Sequence, residues 1–456
     1  MFLVSCGALE NRIDPNFYRI DFQEIKEKIT KNNFKKLGYL VDFSSETWNG
    51  KDYFNHTFPY IEISEIDILS GIIQNISQVP VNEAPSRAKM IVKNNDILVS
   101  TTRPNRGAIS FVKLQENEIQ IASTGFAILR NIKQQIISKE FLFFCLRQEF
   151  SLKQMEQRSS GGNYPAITTE ELKNVLIPIP PLDTQNQIVQ LFAQAYESKK
   201  AKEAEAKRLL AGIDAYLLEQ LGIKTEKTEN KKSFFVKFSQ VQGKRFDPFY
   251  HKTEFEELEK SLRNGKYKMH KIKDIANFQA GYAFNANDYV ENSNCHLVTI
   301  KNISKNEINL DNSTYLPNDF FDKFPLFQIK QNDLLIAMTG ATIGKVGLFN
   351  SDKKALLNQR NGIIRSNQLN YLYLMSILNT DIYQKFILRN SNGGAQPNIS
   401  ETDIMRIEIP LPPLSLQTEI AEHIQGVRAA AKRLENEAKE EVEKAKREVE
   451  RLILGV

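Results

Sequence analysis

The sequence is poor in the residues that usually do chemistry. Its 456 residues hold three cysteines, Cys6, Cys145 and Cys295, widely spaced and odd in number. That argues against a disulfide framework or a zinc knuckle and fits a reducing cytoplasm. The five histidines, His56, His251, His270, His296 and His423, stand away from any Cys, Asp or Glu at metal-ligand spacing. No apolar run approaches the roughly 20 residues that a membrane-spanning helix needs. The opening Leu3-Val4-Ser5-Cys6 resembles a lipoprotein cleavage box. A basic leader and an apolar run of about seven residues are missing, so no secretory signal is expected. Charge of one sign is modest, with a formal net charge of +5 and a pI of about 8.7. Nucleic acid is therefore a permitted partner that charge alone does not demand.

Catalytic motifs are missing too. Gly340-Ala341-Thr342-Ile343-Gly344-Lys345 resembles a phosphate loop but has one residue too few between its glycines. Val346 also stands where a magnesium-binding Ser or Thr belongs, so a strand–turn–strand is expected instead. Asp247-Pro248-Phe249-Tyr250 is near the DPPY motif of adenine methyltransferases but lacks its second proline, and no glycine-rich S-adenosylmethionine loop accompanies it. The chain reads as one that binds and positions.

What is present is a repeat. Residues 159–182, SSGGNYPAITTEELKNVLIPIPPL, align without gaps to 391–414, SNGGAQPNISETDIMRIEIPLPPL. Pro165 and Pro397 lie 232 residues apart, and Gln185 and Gln417 keep that shift. Arg12-Ile13-Asp14-Pro15 matches Arg245-Phe246-Asp247-Pro248 at 233, and Asn95-Asp96-Ile97-Leu98 matches Asn332-Asp333-Leu334-Leu335 at 237. Pieces in one order at nearly one offset mean two copies of a whole domain rather than a solenoid.

Each half reads as mixed α and β. Runs 96–102 and 333–340, followed by 108–112 and 345–349, have hairpin punctuation. Residues 141–150 and 371–380 read as amphipathic or buried helices, each with a second helix behind it, through Met155 and Phe386. Thr168 and Ser400 suit the caps of short helices. A proline-rich segment then precedes a long proline-free stretch, with Asp183 or Ser415 available as N-cap. The second stretch repeats apolar residues in steps of three or four: Ile420, Ile424, Val427, Ala431, Leu434, Ala438, Val442, Ala445, Val449 and Leu452. The first has Ile188, Leu191, Ala195, Leu210, Ile213, Leu217 and Leu221, with Gly222 as a stop. Such stripes form a coiled-coil seam, and the connectivity favours antiparallel pairing of the two stretches. Helices bound to other chains are the alternative.

The repeated I-P-x-P-P-L-x-x-Q (Ile177–Gln185 and Ile409–Gln417) before a long helix resembles the specificity subunit of type I restriction–modification systems. The segment Gly393–Ser400, the N-D-[IL]-L strands and Gln279-Ala280-Gly281-Tyr282-Ala283-Phe284 support the likeness. The first half departs from it, with Asn163-Tyr164 for Ala395-Gln396 and no counterpart of the Gly281–Phe284 segment. The resemblance implies an α+β fold with two similar target-recognition domains, 1–182 and 223–414, related by pseudo-two-fold symmetry. Spacer helices 183–222 and 415–456 join them as an antiparallel coiled coil. It further implies a non-catalytic, cytoplasmic, nucleoid-associated bacterial or archaeal subunit that reads a bipartite duplex site. Two modification subunits would dock on it, with restriction subunits as an optional addition. This chain would bind no cofactor; S-adenosylmethionine, and ATP with Mg, would sit on the partners.

Base reading needs side chains that hydrogen-bond base edges. The loop candidates are Arg103, Asn105, Arg106, Asn163 and Tyr164 in the first half, and Thr342, Lys345, Gln396 and Asn398 in the second. Tyr282 and Phe284 read as core, and Trp48, the only tryptophan, as a loop contact or a cap on the core. Ile188, Leu210, Ile213, Leu217, Ile420, Ile424, Leu434 and Val449 are the expected residues of the spacer and docking helices. About 40 helical residues span roughly 60 Å, or about 17 bp of duplex. Two further readings stay open: a coiled-coil interaction scaffold without DNA contact, and an enzyme with a cryptic site. Salt-sensitive duplex binding would mark the DNA-reading subunit, and methylation by the chain alone would mark the enzyme.

Overall fold

The structure is a computed structural model that describes residues 14–454 apart from 51, 69, 226–232, 243–245, 312 and 392–396. The chain forms two compact units, 1–203 with 435–456 and 204–434. Arg12, Ile13 and Arg245 of the Arg-x-Asp-Pro repeat, and Cys6, lie outside the described residues.

The same elements build each unit. In the first, helices Ile20–Thr30, Leu37–Leu40, Lys139–Leu146, Glu149–Arg158 and Thr169–Lys173 surround the core. Their counterparts in the second are Thr253–Arg263, Ile272–Ile275, Tyr371–Leu378, Asp381–Asn390 and Glu401–Met405. A ribbon closes each unit, pairing Phe34–Lys36 with Leu176–Pro178, and Met269–Lys271 with Glu408–Pro410. Each unit also has an antiparallel sheet. In the first its order is Asp42–Ser44, Phe126–Arg130, Ile97–Ser100, Ile109–Phe111, and in the second Asn277–Ala280, Asn361–Arg365, Leu334–Ala337, Val346–Leu348, then Asn306–Glu307 in parallel. A second, mixed sheet contains one parallel pair in each unit, Thr57–Ile61 with Gln120–Ser123, and Cys295–Val298 with Lys354–Leu357. The phosphate-loop lookalike is thus a hairpin turn between Leu334–Ala337 and Val346–Leu348, as its spacing indicates.

The repeated motifs have local physical reasons. Asn95 and Asn332 both adopt φ 68°, the left-handed conformation that Asn tolerates better than most residues. The next residue, Asp96 or Asp333, is buried and accepts the amide of Lys93 (2.7 Å) or Lys330 (2.8 Å). A strand arginine closes each turn: Arg130 binds Asp96 at 2.9 and 2.8 Å, and Arg365 binds Asp333 in the same two-pronged way. The Asp96 hydrogen bond is the main cause that raises the Arg130 pKa further.

The glutamine of I-P-x-P-P-L-x-x-Q is buried in both units. Gln185 accepts the Ser138 amide (2.8 Å) and donates to Ile136 (3.0 Å) and Pro180 (2.9 Å) carbonyls. Gln417 accepts the Asn370 amide and donates to the Pro412 carbonyl, both at 2.9 Å. Ser138 and Asn370 are N-caps, so the motif ties the start of each long helix to the start of a buried one. Gln185→Ala and Gln417→Ala should each cost about 1–3 kcal/mol, because buried backbone partners are left unsatisfied. Denaturant titration checks this; a midpoint unchanged within error would contradict it.

The long helices run Leu182–Gln220 and Leu414–Leu454. Asp183 and Ser415 therefore sit in the first turn rather than at the N-cap, because the chain is already helical after Pro181 and Pro413. Gly222, at φ 65°, ends the first helix, its amide donating to Glu219 and that of Ile223 to Leu218. In the first unit, Ile188 and Phe192 pack in one core with Ala445, Val449 and Ile453. Lys202 there pairs with Glu437 and Glu441, both at 2.9 Å. In the second unit, Ile213, Leu217 and Leu221 share a core with Ile420 and Ile424. Early turns of one helix thus meet late turns of the other within each unit, which is antiparallel pairing. One seam expectation is corrected: Leu210 is 41% exposed, whereas Leu434 is half-buried like Leu191, Val427 and Leu452. The small residues Ala206 and Ala431 are the buried ones nearby. The side chains at 209 and 210 point in different directions on a 3.6-residue helix, and Leu209 is the more buried.

Trp48 belongs to the core rather than to a loop surface. It is 4% exposed, packs its ring at a tilt against Phe58 with centroids 4.5 Å apart and donates its indole N–H to the Asp52 carbonyl. Phe284 is buried as expected, whereas Tyr282 is 41% exposed and packs one side against Phe324 and Phe327. Among the described residues, no helix is long and apolar enough to cross a membrane.

Candidate nucleic-acid interface

In the first unit, two loops far apart in sequence form one surface. Thr102 bridges to Ala166, and the Arg103 amide donates to the Pro165 carbonyl at 2.7 Å. Arg103 has φ 48° and ψ 53°, a left-handed backbone that costs a side-chain-bearing residue about 1 kcal/mol. Its guanidinium lies 4.2 Å over the Tyr164 ring, and Nη2 donates to the Asn163 carbonyl at 3.0 Å. The short helical turn Pro104–Arg106 follows, with Pro104 buried and Asn105 and Arg106 exposed. Asn163 is exposed and Tyr164 is 70% exposed. The five first-half candidates therefore share one patch.

The second unit repeats the frame with different side chains. Thr339 bridges to Asn398, and the Gly340 amide donates to the Pro397 carbonyl at 3.2 Å. Gly340 has φ 76° and occupies the place of Arg103. Asn398 is exposed. Thr342 is half-buried, and its hydroxyl donates to the Ile300 carbonyl at 3.1 Å, so this side chain is tied to the turn as well as to the surface. Lys345 is half-buried on the outgoing strand side. Gln396 lies outside the described residues.

Three exposed cations beside these loops escape the sequence reading. The Arg87 carbonyl accepts the Thr124 amide at 2.8 Å, next to the Thr101–Gly125 bond. The Arg360 carbonyl accepts the Met338 amide at 3.0 Å, and Lys301 follows the Ile300 carbonyl that Thr342 holds. Backbone bonds between strands bring the two arginines here, and the Thr342 side-chain bond brings Lys301. Extending the 235-residue shift that relates Arg130 to Arg365 back along the strand would have placed Arg360 opposite Gly125.

On the long helices, Ile188, Ile213, Leu217, Ile420, Ile424 and Val449 are buried within their own units. They hold the paired helices together, the seam role their spacing gives them. Exposed Leu210 remains presented. In the second unit, burial lowers the Arg428 pKa to about 10 and raises that of Asp214. Among the described residues, no group of three or more His, Cys, Asp or Glu side chains could hold a metal ion. The surface can present hydrogen-bond donors, acceptors and positive charge to a polyanion.

Known proteins share this layout. The profile of the type I restriction modification DNA specificity domain matches residues 27–208 and again 264–444. The type I restriction enzyme MjaVIII specificity subunit of Methanocaldococcus jannaschii is 26% identical over 372 residues, 80% of each chain. The MjaIX specificity subunit of the same organism is 21% identical over 413 residues, covering 88% of this chain and 87% of that one. A solved structure, described as the structural basis of complex assembly and conformational transition of the type I R-M system, aligns with TM-score 0.58 at 20% identity. That alignment covers 92% of this chain and 96% of the other, and shows a common fold.

Proposed function

The chain belongs to the type I restriction modification DNA specificity family, and from that premise we propose that it reads a split DNA site, one half per unit. The family implies duplex DNA and methyltransferase subunits as partners. In this reading, 1–182 and 223–414 are the recognition domains, and 183–222 and 415–456 the spacer helices on which two modification subunits dock. The chain itself does no catalysis. S-adenosylmethionine, and ATP with Mg where a restriction subunit joins, belong to the partners, and the complex works on DNA in the cytoplasm.

The observation that carries the reading is the doubled loop junction. Thr102–Ala166 and Thr339–Asn398 are the same frame with different residues around it. A shared frame with divergent loops is what two unlike half-sites require. The last helix carries nine acidic and eight basic residues, so the net positive charge lies elsewhere, where phosphates would be met. Mapping methylated adenines genome-wide, with and without the gene, should show loss of one split motif. An unchanged methylation map would refute the reading. Removing whole turns from 186–221 together with the facing turns of 418–453 should shorten the permitted spacer between half-sites. A spacer that stays the same would remove the ruler role from the helices.

A further inference from the structure

The two units differ at one backbone position in a way the frame does not require. In the second unit, the left-handed residue after the bridge is Gly340, which adopts φ 76° without steric cost. In the first unit, the same place, with the same amide bond to the loop proline, is held by Arg103 at φ 48°. A long side chain at a left-handed position is retained against local strain, which points to work done by the side chain.

That side chain is held in a defined plane. Tyr164 covers one face at 4.2 Å, and the Asn163 carbonyl takes one Nη2 proton at 3.0 Å. No carboxylate pairs with Arg103 among the described residues. Guanidinium has five N–H donors in a rigid fork, so four remain beyond the bond to Asn163. Buried Pro104 and the Arg106-to-Arg103 amide bond at 3.0 Å steady the turn beneath it.

Resting on the function proposed above, we infer that Arg103 reads a guanine in the half-site of the first unit, donating two N–H groups to O6 and N7 in the major groove. Phosphate takes the same fork, but a phosphate anchor serves register and would be expected in both units. The position is arginine in one unit and side-chain-free in the other, which is the pattern of a base reader. The half-site read by the second unit has no equivalent contact from Gly340.

The test uses the complete complex with its modification subunits and a duplex library randomised across both half-sites. The wild type should require a G·C pair at one position of one half-site. Arg103→Gly should lower methylation of the wild-type motif roughly tenfold to a hundredfold, relax that single position and leave the other half-site unchanged. It should melt no lower than the wild type, because glycine already serves this turn in the second unit. Arg103→Lys, a point charge without a fork, should keep general affinity and lose most of the discrimination. Tyr164→Ala changes an exposed side chain and frees the Arg103 plane, so it should weaken discrimination at the same position even if Arg103→Gly proves unstable. A uniform loss across all sequences, with a shallower salt slope, would make Arg103 a phosphate contact and overturn the inference. An unchanged motif in Arg103→Gly, or no G·C requirement in that half-site, would overturn it equally. A wild-type complex with no split motif would instead refute the function proposed above.

Discussion

Gly281→Ala should unfold the second unit and leave the first intact. Gly281 runs close against the backbone at Leu357 and Asn358, and a Cβ there would clash with both carbonyl oxygens. Neither atom is the end of a flexible side chain. Three backbone bonds converge on the spot: Gly281 to Asn361 (3.0 Å), Tyr282 to Leu357 (2.9 Å) and Gln359 to Tyr282 (2.9 Å). Relief would have to break them or move the strand Asn361–Arg365. The cost should exceed about 3 kcal/mol, at the upper end of what a single added methyl does. Amide hydrogen exchange would report it, with protection lost across 277–365 and kept across 97–130. In the complex, the half-site of the second unit should lose its sequence requirement. Retained protection at 334–337 and 361–365 would contradict the close-approach argument.

Asp96→Ala should be nearly as damaging to the first unit, and Asp333→Ala to the second. Each carboxylate is buried and neutralises an arginine whose side chain is itself mostly covered, 18% exposed for Arg130 and 34% for Arg365. Removing the acid leaves a guanidinium with half its partners and a backbone amide, Lys93 or Lys330, without an acceptor. Breaking a buried pair from one side costs about 3–5 kcal/mol, more than the intact pair contributes. Arg130 keeps Glu46 at 2.6 Å, which should place Asp96→Ala near the lower end. Paired replacement of both partners by apolar residues should recover much of the loss, and thermal melting of single and double variants would measure it. Single variants that melt with the wild type would show that the turn does not depend on the pair.

Most of the architecture was legible in the residues because it is written in short-range terms. The shift that relates Pro165 to Pro397 marks a duplicated domain. The turn at Asn95-Asp96 and its copy at Asn332-Asp333 follow from Asn tolerating φ 68° and Asp accepting a nearby amide. The missing first-half counterpart of the Gly281–Phe284 segment also has a structural cause. After Asp42–Ser44 the chain pairs with the strand Ala88–Val92, through the Ile91-to-Glu46 and Trp48-to-Lys89 amide bonds, and so carries Trp48 into a core.

By itself, the sequence determined the repeat, the two long helices and the stop of the first at Gly222, and the loops that carry the candidate contacts. Helix periodicity, proline placement and turn chemistry act over a few residues, so they can be read along the chain. The tertiary structure alone decided which loops meet. Arg103 lies 60 residues from Asn163, and the backbone pairing of its loop with Pro165 and Ala166 brings its guanidinium onto Tyr164. It alone decided that Leu210 faces outward and Arg360 joins the second surface, because helix rotation and strand register are set by packing between distant segments. The absence of catalytic motifs was visible from the start, and what the fold added is a held arginine on one unit where the other has glycine.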